Sequence, residues 1–264
     1  MDRDNSGVPV DLRTPSPARM YDYFLGGKDN FTVDREAAEQ VLKLWPETEG
    51  LARANRRFLG RAVRYLAEQG VDQFLDIGTG IPTSPNVHEF AREVNPAARV
   101  AYVDNDPIVT THNRALRDTE GVTSVQGDLR APERLLAEPR LRGVIDFDRP
   151  VAVLFIAVLH FIDTSAAELV ARYRRALAPG SYLAVSVLTV DGIDPTVRRR
   201  AQAVYAKSSA PLVMRTRADV EPFFDGCDLV EPGLVPVNEW RADEPPFTAG
   251  GLVGVGRIRT DEAR

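Results

Sequence analysis

Apolar and polar positions alternate along this chain in two ways, and the change falls near Gly70. Up to that point apolar side chains recur at helical spacing, which predicts helices over residues 17–25, 34–44 and 49–70. Beyond it, short apolar runs predict strands near 72–77, 99–104, 122–126, 151–157, 181–188, 228–237 and 251–258. Amphipathic stretches between these runs predict helices near 84–95, 107–118, 131–138, 164–178, 194–208 and 217–224.

This order of elements predicts an α/β fold with a doubly wound, Rossmann-like sheet of seven mostly parallel strands, the last one antiparallel. We expect a flexible arm over residues 1–14, a helical lid over 15–70 and a sheet domain over 71–264. The Pro-rich residues 243–247 are expected to link the last two strands. Right-handed crossovers bring the carboxyl ends of parallel strands to one edge, so we expect a ligand to bind there.

The composition limits the classes of partner that we expect this chain to bind. The longest apolar run, residues 151–162, is shorter than the ~20 residues that a membrane-spanning helix needs, so we expect a cytoplasmic protein with no membrane segment. One cysteine and three scattered histidines predict neither an internal disulfide nor a metal site. A net charge of −5 disfavours nucleic-acid binding, and the arginines between Arg53 and Arg64 are expected to form a solvated helix face.

A glycine turn follows the first predicted strand. Gly78 and Gly80 allow positive φ angles and a close approach of the backbone to a ligand. The sixth position of a dinucleotide fingerprint is Thr83 here instead of glycine, so that pattern is incomplete. Taken alone, the turn is equally well explained as an ordinary strand-to-helix connection.

Acidic residues at the ends of three successive predicted strands change this interpretation. Asp104, followed by Asn105, can accept hydrogen bonds from ribose hydroxyls. Asp128 can accept from an adenine amino group while Leu129 covers the ring. Together with Asp76, these acids outline sites for an amino group, a ribose and a base.

The motifs in this order resemble those of class I S-adenosylmethionine-dependent methyltransferases. They are Leu75-Asp-Ile-Gly-Thr-Gly80, Val103-Asp-Asn-Asp-Pro107, Gly127-Asp-Leu129 and Leu177-Ala-Pro-Gly-Ser-Tyr-Leu183. Nearly the whole chain is similar to an actinobacterial methyltransferase family catalogued as a domain of unknown function, including the blocks at 17–31, 55–56, 86–89 and 159–161.

The resemblance implies S-adenosylmethionine as the cofactor. The residues that it places at the cofactor are Asp76, Gly78, Thr79, Gly80, Pro82, Thr83, Asp104, Asn105, Asp128, Leu129 and Ala157. Pro82 stands where the general methyltransferase pattern has a third glycine.

Methyl transfer needs a general base only if the acceptor arrives protonated. His160 follows the fourth predicted strand and is the best-placed candidate for that base, because imidazole titrates near neutrality. The alternative is a histidine that hydrogen-bonds within the strand-to-helix connection and has only a structural role.

The segment 21–31 combines aromatic residues, two glycines and a lysine. We interpret it as part of a lid, in which Tyr21 and Tyr23 line the acceptor pocket and Arg19 or Lys28 binds a carboxylate. The alternative is a helix C-terminus that ends in a turn at Gly26 and Gly27.

The leading functional hypothesis is methyl transfer to an oxygen or nitrogen atom of a small molecule by a monomer or homodimer. No Asn-Pro-Pro-Tyr or Asp-Pro-Pro-Tyr motif follows the fourth predicted strand, which argues against adenine, cytosine-amino and glutamine methyltransferases, and Cys227 lies too far along the chain for a C5-cytosine enzyme. Two alternatives stay open: a non-catalytic S-adenosylmethionine-binding regulator and an NAD-dependent oxidoreductase. Thr83 and Asp128 argue against the oxidoreductase.

Overall fold

The structure is a computed structural model that describes residues 11–116, 119–163, 165–242 and 250–259. Residues 1–10 of the expected arm and the expected 243–247 link lie outside the described residues, as do the last two residues of the helix predicted over 107–118. Among the described residues, no helix combines the length and the apolar character needed to cross a bilayer.

A single sheet forms the centre of the fold, in the order β3-β2-β1-β4-β5-β8-β6, with β7 also paired to β8. Strands β1 to β5 are parallel, and β8 is antiparallel to β5, which confirms the predicted fold class. The strands are β1 Gln73–Ile77, β2 Arg99–Asp104, β3 Val122–Gln126, β4 Ala152–Ile156, β5 Tyr182–Leu188, β6 Cys227–Leu229, β7 Val235–Pro236 and β8 Gly251–Ile258.

The strand predicted over 228–237 is interrupted, which corrects the expected number of strands. Pro232 lacks the N–H that a strand ladder needs, and the Gly233 N–H donates to the Val230 carbonyl at 2.8 Å, closing a tight turn. The chain therefore leaves the sheet after β6 and returns as β7. Both pieces pair with β8, so the described residues contain eight strands.

Helices flank the sheet close to the predicted positions. The helix predicted near 131–138 is shorter than expected, because Pro139 starts a separate turn of helix. The helices are α1 Pro17–Phe24, α2 Thr32–Leu44, α3 Thr48–Glu68, α4 Val87–Val94, α5 Pro107–Leu116, α6 Pro132–Leu136, α7 Pro139–Arg142, α8 Ala166–Arg175, α9 Pro195–Tyr205 and α10 Arg217–Val220.

Helix α3 packs across the sheet and joins its core. Its apolar face, with Phe58 and Leu66 fully buried, contacts β4, β5 and β8. Its arginines are not simply a solvated face: the Arg61 Nε donates to the Trp240 carbonyl at 2.8 Å, and Arg64 pairs with Glu93. The N-terminal helices and the sheet consequently share one apolar interior.

Candidate active site

A cavity of about 530 Å³ lies at the carboxyl ends of the parallel strands, within the size range of small-molecule sites. The glycine loop after β1 and the segments that follow β2, β3 and β4 all contribute to its wall. The wall includes every residue predicted at the cofactor except Pro82, namely Asp76, Gly78, Thr79, Gly80, Thr83, Asp104, Asn105, Asp128, Leu129 and Ala157.

The glycine loop is held against β2 by its own backbone. The N–H groups of Gly78 and Thr79 both donate to the Val103 carbonyl, at 2.8 and 3.1 Å. Gly78 and Gly80 have φ angles of +74° and +65°, in the left-handed region that other residues rarely adopt. A Cβ at Gly78 would also lie 2.2 Å from a methyl group of Val158, so glycine is required there.

Asp104, at the end of β2, connects the glycine loop to the start of α5. One carboxylate oxygen accepts the Gly80 N–H at 3.0 Å, and the other accepts the Asp106 N–H at 2.9 Å. Burial raises the pKa of Asp104 to about 6, and the charges of Asp106 and Asp76 act in the same direction. The carboxylate lines the cavity and is oriented by fixed donors, which suits it to accept ligand hydroxyls.

Asp128, after β3, is paired with a residue that the sequence interpretation missed. The Arg130 side chain donates to both carboxylate oxygens, at 2.7 to 3.0 Å, and its backbone N–H donates as well. This pairing lowers the pKa of Asp128, which therefore stays ionised. The sequence signal for this pair was the spacing Asp128-Leu-Arg130, which puts an acidic and a basic residue two positions apart.

Ala157 follows β4 in a left-handed conformation, with φ at +55°. The Ser186 hydroxyl of β5 accepts the Ala157 N–H at 2.8 Å and fixes this conformation. A non-glycine residue in this region carries a backbone strain of about 1–3 kcal/mol and persists where its surroundings impose it. The small side chain leaves the cavity open at this point.

His160 lies in a 3₁₀ turn, Leu159–Phe161, and is nearly fully buried. Its Nδ1 accepts the Leu188 N–H at 3.2 Å, so the neutral ring carries its proton on Nε2. Burial and the nearby Arg215 charge lower the pKa of His160 to about 3. An imidazole with this pKa and an occupied Nδ1 is a poor general base, so the geometry favours the structural alternative.

Arg215 braces the turn that carries His160, and nothing in the local sequence pattern signalled it. The buried guanidinium donates to the carbonyls of Leu159 at 2.9 Å and Ile162 at 2.6 Å, and also to that of Asp163. The His160 carbonyl in turn accepts the Val213 N–H at 2.8 Å. The segment before α10 thus holds the cavity wall from behind.

Replacing Arg215 with methionine is expected to lower the free energy of unfolding by about 2–4 kcal/mol, because buried carbonyls lose their donor. Urea denaturation followed by circular dichroism measures the change. Arg199→Met, at an exposed position of α9, is the matched control and should change stability by less than about 0.5 kcal/mol. Equal effects of the two substitutions would contradict the bracing role.

The predicted role of Arg19 in binding an acceptor carboxylate is corrected by the structure. Arg19 is buried, its Nε donates to Asp34 at 2.7 Å, and Asp106 lies 3.7 Å from its guanidinium. Its charge is therefore balanced within the protein. Tyr21 does line the cavity, where its hydroxyl donates to the Ala52 carbonyl at 3.1 Å.

Tyr23 and Lys28, predicted at the acceptor, lie outside the cavity wall, as do Gly26 and Gly27, predicted in the lid. Tyr23 lies in α1, and the glycines and Lys28 follow it in a turn that closes on Asp22, where the Gly27 N–H donates to the Asp22 carbonyl at 2.8 Å. A Cβ at Gly27 would lie 2.0 Å from the Asp22 carboxylate. Lys28 is exposed at this turn. The turn ends α1, as the alternative interpretation of the segment predicted.

Residues 11–16, here called the N-terminal strap, cross the cavity. The Ser16 hydroxyl donates to Asp106 at 3.3 Å on one side, and the Pro15 carbonyl accepts the Ser209 N–H at 2.9 Å on the other. Arg56 of α3 holds the connection after the glycine loop through the carbonyls of Thr83 and Pro85, each at 2.6 Å. The strap and the N-terminal helices thus cover the site.

Comparison with known proteins gave consistent results. A family model described as S-adenosyl methyltransferase matches residues 3–258. A structure of a candidate methyltransferase from Thermobifida fusca is 42% identical, with 94% of this chain and 97% of that chain covered and a TM-score of 0.89. A DUF574 family protein from Streptomyces avermitilis is 41% identical, with coverages of 95% and 100% and a TM-score of 0.90.

More distant structures show the fold alone. Human N-acetylserotonin methyltransferase in complex with SAM is 14% identical, covers 95% of this chain and 64% of its own, and has a TM-score of 0.51. The search of curated proteins found no match.

Proposed function

Because this chain belongs to the S-adenosyl methyltransferase family and is an S-adenosylmethionine-dependent enzyme, we propose that it methylates an oxygen or nitrogen atom of a small molecule. Family membership decides against the oxidoreductase and the non-catalytic regulator considered from the sequence. The observation that carries the choice of acceptor is the cover over the cavity. The N-terminal strap bonds to both sides of the cavity, through Asp106 and Ser209, which favours an acceptor small enough to fit beneath it.

The residues on the β1 to β3 side of the cavity fit the cofactor. Asp104 would accept the ribose hydroxyls, and Asp128 the amino group of the base, while Leu129 would cover the ring. The glycine loop would lie against the amino-acid part, with Asp76 close to its ammonium group. S-adenosylmethionine, when bound, supplies an activated methyl group and leaves as S-adenosylhomocysteine.

The chain's own contribution to the reaction is alignment and exclusion of water. The N-terminal helical segment, residues 15–70, acts as the lid of the sheet domain, residues 71–264, through Arg19, Tyr21 and the strap. His160 stays neutral and presents its Nε2–H to the cavity instead of removing a proton. The acceptor therefore enters with a usable lone pair.

Binding of S-adenosylhomocysteine is expected to weaken below pH 6. Ribose hydroxyls donate to an ionised carboxylate, and the free protein holds Asp104 at a pKa of about 6. Each pH unit below that value should raise Kd about tenfold until the pKa of the complex is reached. Calorimetry over this pH range measures the effect. In Asp104→Asn the decline should disappear, and an unchanged decline in that variant would assign it to another group.

The activity is tested with S-adenosylmethionine labelled in its methyl group. The protein and an actinobacterial extract are incubated together, and the products are separated into small-molecule, protein and nucleic-acid fractions. We expect label in the small-molecule fraction, and none above background with Asp104→Ala. Label confined to protein or nucleic acid would refute the proposed acceptor class.

A further inference from the structure

The cavity continues past the glycine loop into an apolar part, here called the inner chamber. Its side chains come from six elements and segments: Phe24, Leu51, Phe161, Leu188, Val237 and Val253. In the sheet order, β1 separates this chamber, built on β4, β5 and β8, from Asp104 and Asp128 at β2 and β3. Adjacent strands are about 4.8 Å apart, so the chamber is a different subsite from the one proposed for the nucleoside.

Charge is absent from the sheet side of the inner chamber. Every described residue that lines the cavity from position 156 onward is uncharged at neutral pH, His160 included. The charged residues of the wall lie before that position. Two of them lie on the N-terminal helices and already have partners: Arg19 pairs with Asp34, and Arg56 donates to two carbonyls. A charged ligand group would lose its hydration here without gaining a partner.

Two neutral polar groups face this apolar surface. Tyr205, the last residue of α9, is 7% exposed and packs on Phe161, with ring centroids 5.7 Å apart. The centroid of the His160 ring lies 4.5 Å from that of Phe161. Among the described residues neither the Tyr205 hydroxyl nor the His160 Nε2–H has a hydrogen-bond partner. Both atoms are accessible from the cavity, so a ligand bound there can accept hydrogen bonds from them.

We infer that the inner chamber binds an uncharged aromatic acceptor whose polar substituent is held by the Tyr205 hydroxyl and the Nε2–H of His160. This inference rests on the proposed function and names the substrate class of that same site. Phe24, Phe161 and Tyr205 supply ring surfaces that suit an aromatic body. The two donors suit an oxygen or nitrogen atom that carries a lone pair.

The test uses the full-length protein saturated with S-adenosylhomocysteine, whose own binding is first measured by calorimetry. Three probes that share one ring system are then titrated at neutral pH: 2-naphthol, 2-naphthoate and 2-naphthylmethylammonium. We expect 2-naphthol to bind at least tenfold more tightly than either charged probe. Naphthalene serves as the probe without a polar substituent.

Tyr205→Phe removes only the hydroxyl and keeps the ring. We expect this variant to bind 2-naphthol about fivefold more weakly and naphthalene unchanged. Tyr65→Phe, at a tyrosine of α3 outside the cavity wall, is the matched control and should leave both affinities unchanged.

Charged probes that bind as tightly as 2-naphthol, or an unchanged 2-naphthol affinity in Tyr205→Phe, would overturn the inference. So would failure of 2-naphthol to bind the saturated protein, with the proposed function intact. Failure of S-adenosylhomocysteine itself to bind would instead overturn the proposed function, and the inference with it.

Discussion

Replacing Asp104 with alanine is expected to weaken S-adenosylhomocysteine binding by about 3 kcal/mol, roughly a 100-fold rise in Kd. The substitution removes the proposed acceptor for the ribose hydroxyls. It also frees the Gly80 and Asp106 N–H groups that the carboxylate now binds, so the glycine loop loses its tie to α5. Isothermal titration calorimetry measures the change directly.

The matched control for this prediction is Asp72→Ala. Asp72 precedes β1 at the opposite edge of the sheet and pairs with Arg149 at the surface. The Asp72→Ala substitution should leave the affinity for S-adenosylhomocysteine unchanged. If Asp104→Ala binds S-adenosylhomocysteine as well as the unmodified protein while remaining folded, the assignment of the ribose site is wrong.

Replacing Asp34 with alanine is expected to lower the free energy of unfolding by about 3–5 kcal/mol, the usual cost of leaving one partner of a buried ion pair alone. Asp34 is fully buried and accepts from Arg19 Nε at 2.7 Å and from the N–H groups of Ser16 and Phe31, each at 2.9 Å. These bonds join the strap, α1 and α2. Urea denaturation gives the free energy.

Asp29→Ala is the control for this effect, because that carboxylate is about half exposed and should contribute less than about 0.5 kcal/mol. A double variant, Arg19→Met with Asp34→Leu, removes both charges and should cost less than Asp34→Ala alone. A loss below about 1 kcal/mol in Asp34→Ala would show that the pair does not stabilise the N-terminal helices.

Much of the fold follows from local patterns. The strands β1 to β5 and β8 lie where short apolar runs predicted them, since side-chain alternation and flanking turn residues are read within a few positions. The break between β6 and β7 was missed although Pro232 and Gly233 mark it, because the apolar residues on either side continue the strand pattern.

In the candidate site, too, local sequence patterns predict some residues and not others. Gly78, Asp104 and Asp128 could be placed at one cavity because each lies at or just after the end of a parallel strand, and parallel strands end at the same edge. Tyr205 and Arg215 could not be found this way. Tyr205 lines the cavity and Arg215 bonds to the turn behind its wall, both through the packing of segments after β5, which no local periodicity describes.

The sequence by itself determined the order of the elements, the fold class and the edge of the sheet where the acids proposed to bind the cofactor lie. Only the tertiary structure decided which polar groups are already occupied. Arg19 pairs with Asp34 across 15 positions, and Arg215 binds the Leu159 carbonyl across 56. Strand and helix signals come from neighbouring residues, whereas the pairing and burial that give Arg19 and His160 their chemistry depend on distances set by the whole fold.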